Sequence, residues 1–499
     1  MRCIVCFLIC FFSFCFLPAQ TTTFSKVFSN FPLNPENGWE IVEIEEGYLL
    51  ISACNCIDVQ PEKICGGLTR LDANGNVKWY RQLPFYPNRV GTVVFERDLI
   101  YVCGGEDGQI GLYCIGLDGE IIWHKSYGNY EKIEAGPFLS LTQELQLILV
   151  GAQFRNTVNR SEPILYFVKA DMQGDSLDAF TYGEQYNSLI PRGLLSTTDG
   201  QIVFSYPFCP GPCLWDRPAA VSSMDEGGNI LWTNTFGESF LPGNCIVSQL
   251  DATTLVTKWY AKRNTPNFDQ NPPALYFMGL DGQVQDTFVF ENQTLSDIDD
   301  IAATPEGGVV GCGDRQETIE TYPRIPWLFR MGSDRAIEWE REYKDTTFEG
   351  QSLSLLSVAP TRDGGYILAG TVSNAMTGVR ETHNWVLKLD AEGCLKPGCG
   401  VRNILTGGEE PVFMEGLGIQ VSPNPADAWL RVDFPAAFDW SKGRVEVSLL
   451  SATGRLVQSV RAAGSAVSLA LSEVPAGTYF VVLRRGERVV CSKRVVVGH

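Results

Sequence analysis

Hydrophobic and polar positions alternate in short runs along most of the chain, as in Gly47-Tyr48-Leu49-Leu50-Ile51-Ser52 and Gly365-Tyr366-Ile367-Leu368-Ala369-Gly370. Successive side chains of a strand point to opposite faces, so a period of two predicts strands. No stretch joins a 3.6-residue period to caps at both ends. The runs are punctuated by an Asp or Asn with Gly, followed a few residues on by an aromatic: Asp72 to Gly75 before Trp79, and Asp118-Gly119 before Trp123. Looser versions are Asp171 to Gly174 before Phe180, Asp225 to Gly228 before Trp232, Asp281-Gly282 before Phe288, Ser333-Asp334 before Trp339, and Asp390 to Gly393. Positions 75, 119, 174, 228, 282, 334 and 393 are 44, 55, 54, 54, 52 and 59 residues apart. Each unit reads as four strands, the second over 90–96, 99–104, 111–116 and 121–127. Four-stranded sheets recurring about every 50 residues predict an all-β fold, a seven-bladed β-propeller.

The seventh unit has three strands and then runs into Cys394-Leu395-Lys396-Pro397-Gly398-Cys399. Phe24-Ser25-Lys26-Val27-Phe28 carries the pattern of the missing fourth strand and resembles Trp123-His124-Lys125-Ser126-Tyr127 in its spacing. The propeller is therefore expected to be closed by the N-terminal strand, which hides open sheet edges. Trp79, Trp123, Trp232 and Trp339 recur at one register of the outermost strand, which places them between sheets as core, and the repeated Asp and Gly are turn chemistry.

Strands within a blade alternate direction, so loops joining second to third strands emerge on the same side as those joining blade to blade. The long loops 54–65, 152–162, 207–217, 261–273, 314–326 and 371–382 all fall there. Phe154, Arg155, Trp215, Arg217, Tyr322, Arg324 and His383 lie in or beside them and form the candidate ligand-binding face, a mixture of aromatic and Arg groups suited to glycan or protein. Solvated loops on a large scaffold are the plain alternative.

Composition narrows the partners. The 499 residues are 44% hydrophobic with a formal charge of −19, which excludes disorder over most of the length and argues against nucleic acid. Met1-Arg2, the apolar run Cys3 to Leu17 and a small residue at Ala19 predict a signal peptide over 1–19 with no permanent transmembrane segment after it. Twelve cysteines remain for an oxidising compartment. Local spacing predicts the pairs Cys209–Cys213 and Cys394–Cys399, and Cys103 and Cys114 are placed to face one another across a hairpin. Cys54, Cys56 and Cys65 form a cluster of which two bond. Cys245, Cys312 and Cys491 read as buried singletons.

Catalytic signals are poor. There are three histidines, His124, His383 and His499. No Ser-His-Asp spacing, His-Glu-x-x-His or phosphate loop is present, and neither cofactor nor metal is implied. Glu131, Asp269, Asp314 and Glu317 are acidic groups that a glycoside hydrolase would need at a working separation, which the sequence does not supply.

Residues 403–417 lose the alternation and read as a linker between a propeller over 20–402 and a C-terminal unit over 418–499. That unit has short strands near 430–434, 445–450, 456–461, 467–470, 478–483 and 489–497, enough for a small immunoglobulin-like β-sandwich. It carries a net +4 against −23 for the rest. Val421-Ser422-Pro423-Asn424-Pro425, Ser451-Ala452-Thr453-Gly454-Arg455, Pro475-Ala476-Gly477-Thr478-Tyr479-Phe480 and Lys493-Arg494-Val495-Val496-Val497 resemble, in order, the type A sorting domain of the Bacteroidetes type IX secretion system. The resemblance implies Pro423, Asn424, Pro425, Gly454, Gly477, Tyr479, Lys493 and Arg494 as sorting-motif residues and the type IX machinery as partner. It also implies a product secreted or attached to the outer surface of the outer membrane. Gly498-His499 extends past the usual end. The repeats resemble the secreted propellers found beside such tails. The expectation is an exported protein that binds glycan or protein through its loop face without catalysis. A polysaccharide hydrolase or lyase and a structural envelope spacer are the alternatives.

Overall fold

The computed structural model describes residues 22–498 apart from 30–36, 56–63, 87–90, 92, 129–136, 158–159, 184–188, 209–216, 240–244, 262–271, 291–295, 316–323, 346–351, 375–380, 406–408, 414–418, 435–443, 452–455, 463, 473 and 486–487. The expected signal peptide and the Cys209–Cys213 pair lie outside the described residues.

Seven antiparallel sheets follow one another, each adding its strands in chain order from the inside outwards. The second is Val93–Glu96, Leu99–Glu106, Gln109–Gly116 and Ile121–Tyr127. The sixth is Asp297–Ala303, Val309–Arg315, Ile325–Met331 and Ile337–Asp345. The seventh has Ser352–Pro360, Tyr366–Asn374 and Glu381–Leu389, and its fourth strand is Phe24–Ser29, paired antiparallel from Phe24↔Lys388 to Phe28↔Asn384. These seven sheets form a seven-bladed propeller-like region whose seventh sheet is completed by the N-terminal strand.

Side chains explain why that strand docks. Val27 and Phe28 are fully buried, each worth about 1.5–3 kcal/mol of transfer free energy. Trp385 Nε1 donates to Ser25 Oγ at 3.0 Å, and Lys26 Nζ reaches Asn76 Oδ1 of the first blade at 2.9 Å.

The recurrent turns form the outer joints. Gly75, Gly119, Gly174, Gly228, Gly282 and Gly393 all have positive φ, where a side chain is strained, and a Cβ on any of them would strike an aromatic of the preceding blade. Those aromatics are Phe24, Trp79, Trp123, Phe180, Trp232 and Trp339. Trp79 Nε1 also donates to Leu117 O at 2.8 Å, and Trp232 Nε1 to Leu280 O at 2.7 Å. The sixth turn has no glycine at this position: Arg335 takes φ 64°, lays its guanidinium over Phe277 at 4.7 Å and bonds Asp286 at 2.9 Å.

The inner joints are polar. Bulges at Gly38/Glu40, Ile298/Asp300 and Leu355/Ser357 turn one side chain toward the next blade. Glu40 accepts from Gly91 N at 3.0 Å, Asp300 from Val358 N at 2.9 Å, and Ser357 from Ile41 N at 3.3 Å; Ser140 accepts from Ser196 N at 2.9 Å. Each satisfies an amide in or just before the neighbouring innermost strand, at the edge where no further strand of that blade pairs.

Cys103 and Cys114 do not bond; both are buried thiols. The hairpin turns at Asp107-Gly108, both with positive φ, so Cys103 faces Leu112 and Cys114 faces Tyr101. Such diagonal neighbours stand about 7–8 Å apart, beyond the reach of a disulfide. Cys394 and Cys399 do bond, with a Cα–Cα distance of 5.7 Å. Cys65 is disulfide-bonded while Cys54, opposite it in the register, keeps a thiol 3.3 Å from Tyr80 Oη. Cys245 and Cys312 are buried thiols.

Arg402–Leu405 and Glu409–Phe413 add parallel outer strands, the first to Ile337–Asp345 and the second to Phe24–Ser29. The C-terminal unit packs a sheet of Gln420–Ser422, Trp429–Asp433 and Ala466–Ala470 against one of Leu456–Ala462, Val445–Ser451, Gly477–Arg485 and Arg488–Val497. Its core includes Leu430, Val432, Val447, Leu449, Val481 and Leu483.

Candidate functional site

Register places the start of every first strand, the end of the second and the start of the third at one end of the blade. In the sixth blade Asp297 faces Asp314, and Asp314 faces Pro326. This is the loop-rich end. The segment 152–162 is an extended hairpin: Leu147–Thr157 and Arg160–Ala170 stay paired to Thr157↔Arg160, with Phe154 opposite Pro163 and Arg155 opposite Glu162. Arg217 opens the third strand of the fourth blade, opposite Ser239. Trp215 and Tyr322 lie outside the described residues. His383 is half-buried in the third strand of the seventh blade, opposite Val372.

Arg324 is the predicted residue that joins a cluster. It precedes the third strand of the sixth blade, and its Nη1 donates to Asp314 Oδ2 at 3.4 Å. Asp314, fully enclosed, also accepts from Leu355 N of the seventh blade at 3.4 Å. Burial pushes the Asp314 carboxyl up to about 6 although Arg324 opposes the shift. Burial alone would lower the Arg324 guanidinium, but Asp314, Asp299 and Asp297 outweigh it and hold its pKa up.

Across the mouth stands the fifth blade. Lys258, near the end of Thr254–Tyr260, is enclosed with 0% of its side chain exposed and is ion-paired to Asp297 of the sixth. Its Nζ lies 4.5 Å from the Tyr260 ring centroid, and the Tyr260 hydroxyl donates to the same Asp297 Oδ1 at 2.7 Å. Desolvation first, then Asp297, raises the Tyr260 hydroxyl well above its ordinary pKa, so it stays a donor. Two blades are thus bridged by charges whose inner partners are buried and whose outer partners face solvent. Sequence reading missed Lys258, Tyr260 and Asp297 because a Lys-Trp-Tyr run at a strand end looks like core; the acid in the next inner strand is 39 residues away.

Ser126, His124 and Glu106 meet on the second blade, yet they do not form a nucleophile relay. His124 Nε2 donates to Glu106 at 2.7 Å, and Ser126 Oγ lies 3.3 Å from that same nitrogen. A serine triad needs the acid and the hydroxyl on opposite ring nitrogens. Among the described residues no group of three or more His, Cys, Asp or Glu side chains is arranged to hold a metal ion.

In the C-terminal unit the motif at its start meets the motif at its end. Asn424 Oδ1 accepts from Val496 N at 2.9 Å, Ala426 bridges Val497, and Gly498 N donates to Ala426 O at 2.9 Å. Lys493 Nζ reaches Ile419 O at 3.4 Å, and Tyr479 donates to Pro475 O at 2.8 Å. Pro423 and Pro425 flank Asn424 on the exposed side, and Gly477 and Arg494 belong to the last two strands; Gly454 lies outside the described residues.

Residues 420–498 match the family model described as a secretion system C-terminal sorting domain. No curated protein matches the chain in sequence. Among solved structures, it is similar to a protein of unknown function from Dyadobacter fermentans at 12% identity, covering 62% of this chain and 92% of that one with a TM-score of 0.35. It is also similar to a Trypanosoma rangeli sialidase (11% identity, 86% of each chain, TM-score 0.36). A third is a Pyrococcus horikoshii acylaminoacyl peptidase (10% identity, 82% of this chain and 59% of that one, TM-score 0.42). Among the described residues no helix is long and apolar enough to cross a membrane. The C-terminal unit is a type IX, type A sorting domain, and the all-β repeat protein that carries it is secreted or held at the cell surface.

Proposed function

We propose that the propeller is a binding module that takes a glycan or protein outside the cell through its loop-rich end. The observation that carries this is the fifth–sixth mouth, where Asp297 and Arg324 stand exposed while Lys258, Tyr260 and Asp314 hold them from behind. Fixed polar groups at the rim of a rigid β-scaffold suit recognition, because little ordering is left to be done on binding. The test is a glycan array and a surface pull-down with the full secreted chain. Specific capture is expected, weakened when Arg324 is replaced by Ala. Capture unchanged by Arg324→Ala and by joint replacement of Trp215, Arg217 and Tyr322 puts the ligand elsewhere on the molecule.

A second reading, a polysaccharide hydrolase or lyase, draws on one observation. Asp297 and Asp314 are cross-strand partners in unlike settings, one half-exposed and the other enclosed with its carboxyl pushed up to about 6. Two carboxyl groups in unlike surroundings at one site are what acid–base cleavage of a glycosidic bond draws on. Chain shortening of a bound polysaccharide, abolished by both Asp297→Asn and Asp314→Asn, supports this reading; binding without turnover removes it.

A further inference from the structure

We propose that the mouth between the fifth and sixth blades selects uncharged, hydroxyl-rich ligands, that is, neutral glycans, over acidic polysaccharides. The proposal rests on the reading of the loop-rich end as a binding face and names the chemistry of its ligand.

The argument is one of charge already matched. Asp297 shows 36% of its side chain and Arg324 47%, so both offer polar atoms to a ligand. Neither offers a free charge. Asp297 is ion-paired to an ammonium with no exposure of its own, and Arg324 is bonded to an enclosed carboxylate with Asp299 close by. A cationic ligand that displaced Lys258 would strand a buried ammonium. An anionic ligand that drew Arg324 away would strand Asp314. Both exchanges leave an uncompensated charge in the interior, where it costs most. An anion also meets three carboxylates against two cations here, on a chain of net charge −19.

Directional hydrogen bonding is what remains. Lys258 and Tyr260 both bond Asp297 Oδ1, which leaves Oδ2 as an acceptor. Arg324 uses Nη1 on Asp314, which leaves Nη2 and Nε as donors. An acceptor and a two-pronged donor on one blade, near enough for Asp297 to help hold up the Arg324 pKa, match neighbouring sugar hydroxyls, each of which can donate and accept. Bonds of this charged-to-neutral kind are each worth roughly tenfold to a hundredfold in affinity.

The experiment uses the full secreted chain against neutral hexose oligomers, uronate-containing oligomers and sulfated oligomers on one array. Titration calorimetry with the best neutral oligomer then follows in about 0.05 and 0.5 M salt, which screens ionic contacts and spares neutral ones. The expected result is binding of neutral oligomers with less than about a twofold change across that salt range, as screening has no ligand charge to act on. Arg324→Ala should weaken it at least about tenfold. Lys258→Met combined with Asp297→Asn removes the buried pair as a unit and so tests Asp297 in a chain that keeps its fold, which thermal melting checks. It should cost a similar factor. Preference for uronate or sulfated oligomers, or steep salt dependence, overturns the proposal. Capture of a protein or an acidic glycan with no neutral binding overturns it too, while leaving the loop-rich end a binding face; silence toward every probe overturns both.

Discussion

At the outer rim each blade meets the next through an aromatic ring laid against a turn glycine, whereas at the innermost strands the same blades are joined by side chains that reach a neighbour's backbone N–H. The rim contact repeats almost unchanged from Phe24 on Gly75 to Trp339 on Gly393. The inner contact varies, using Glu40, Ser140, Asp300 or Ser357. The difference teaches how the fold divides its labour. Apolar contact is non-directional and tolerates one solution copied six times, while a buried polar joint must satisfy each local donor and so differs from blade to blade. The sixth blade departs most on both counts: its turn residue is Arg335, and its inner joints use two enclosed carboxylates, Asp300 and Asp314, that both grip the innermost strand of the seventh.

The closing strand is where that comparison breaks most severely. Phe28→Ala removes a fully buried ring from the strand that completes the seventh sheet from the far end of the chain, and should cost about 3–5 kcal/mol. Urea unfolding followed by tryptophan fluorescence measures it. A loss below about 1 kcal/mol would mean that the strand is not needed to hold the seventh blade.

A smaller loss is expected at the rim. Gly282→Ala places a Cβ 2.5 Å from Trp232 at φ 81°, combining a clash with left-handed strain, for about 2–4 kcal/mol. The sixth blade supplies the control, because Arg335→Gly should be nearly neutral or stabilising in backbone terms while losing the contact over Phe277. Equal losses at both positions would refute the claim that glycine is chosen for this joint.

The pH dependence separates the inner joints. Burial pushes the Asp300 carboxyl up to about 7, with Glu40 adding to it and the Val358 amide opposing. A folded pKa above the unfolded value, about 3.9, gives stability that is full below the unfolded pKa and is lost as pH rises through the folded one. Stability should therefore fall between about pH 4 and 7 with a slope from this group approaching about 1.4 kcal/mol per pH unit. Asp314, pushed up to about 6, adds in the same direction. Thermal melts at pH 5 and 8 measure the difference, and Asp300→Asn should flatten it. A variant with undiminished pH dependence places the effect elsewhere.

Much of this architecture was legible in the chain. The turn glycines and rim aromatics repeat, and a repeated local conformation needs the same residue each time, so their spacing counts the blades. Phe24 to Phe28 could be matched to the empty fourth position because its pattern is that of the other outer strands. The strands of the sorting domain followed from alternation, and Cys394–Cys399 from close spacing. The Cys103–Cys114 pairing failed because hairpin register depends on where the chain reverses. A two-residue turn at Asp107-Gly108, in place of a longer loop, offsets the two cysteines along the ladder. The polar mouth was legible in two residues, Arg324 and the acidic Asp314. Lys258 and Tyr260 come from another blade, and what makes these groups a site is burial on one side and exposure on the other.

Period, turn chemistry, the pattern of the closing strand and the sorting motifs were thus determined by the sequence itself, since each is written within one repeating unit or motif. Tertiary structure alone decided which carboxylates are enclosed, which cations compensate them and which polar atoms remain for a ligand. Those outcomes depend on the dielectric surroundings and on side chains from adjacent blades, and a linear pattern carries neither.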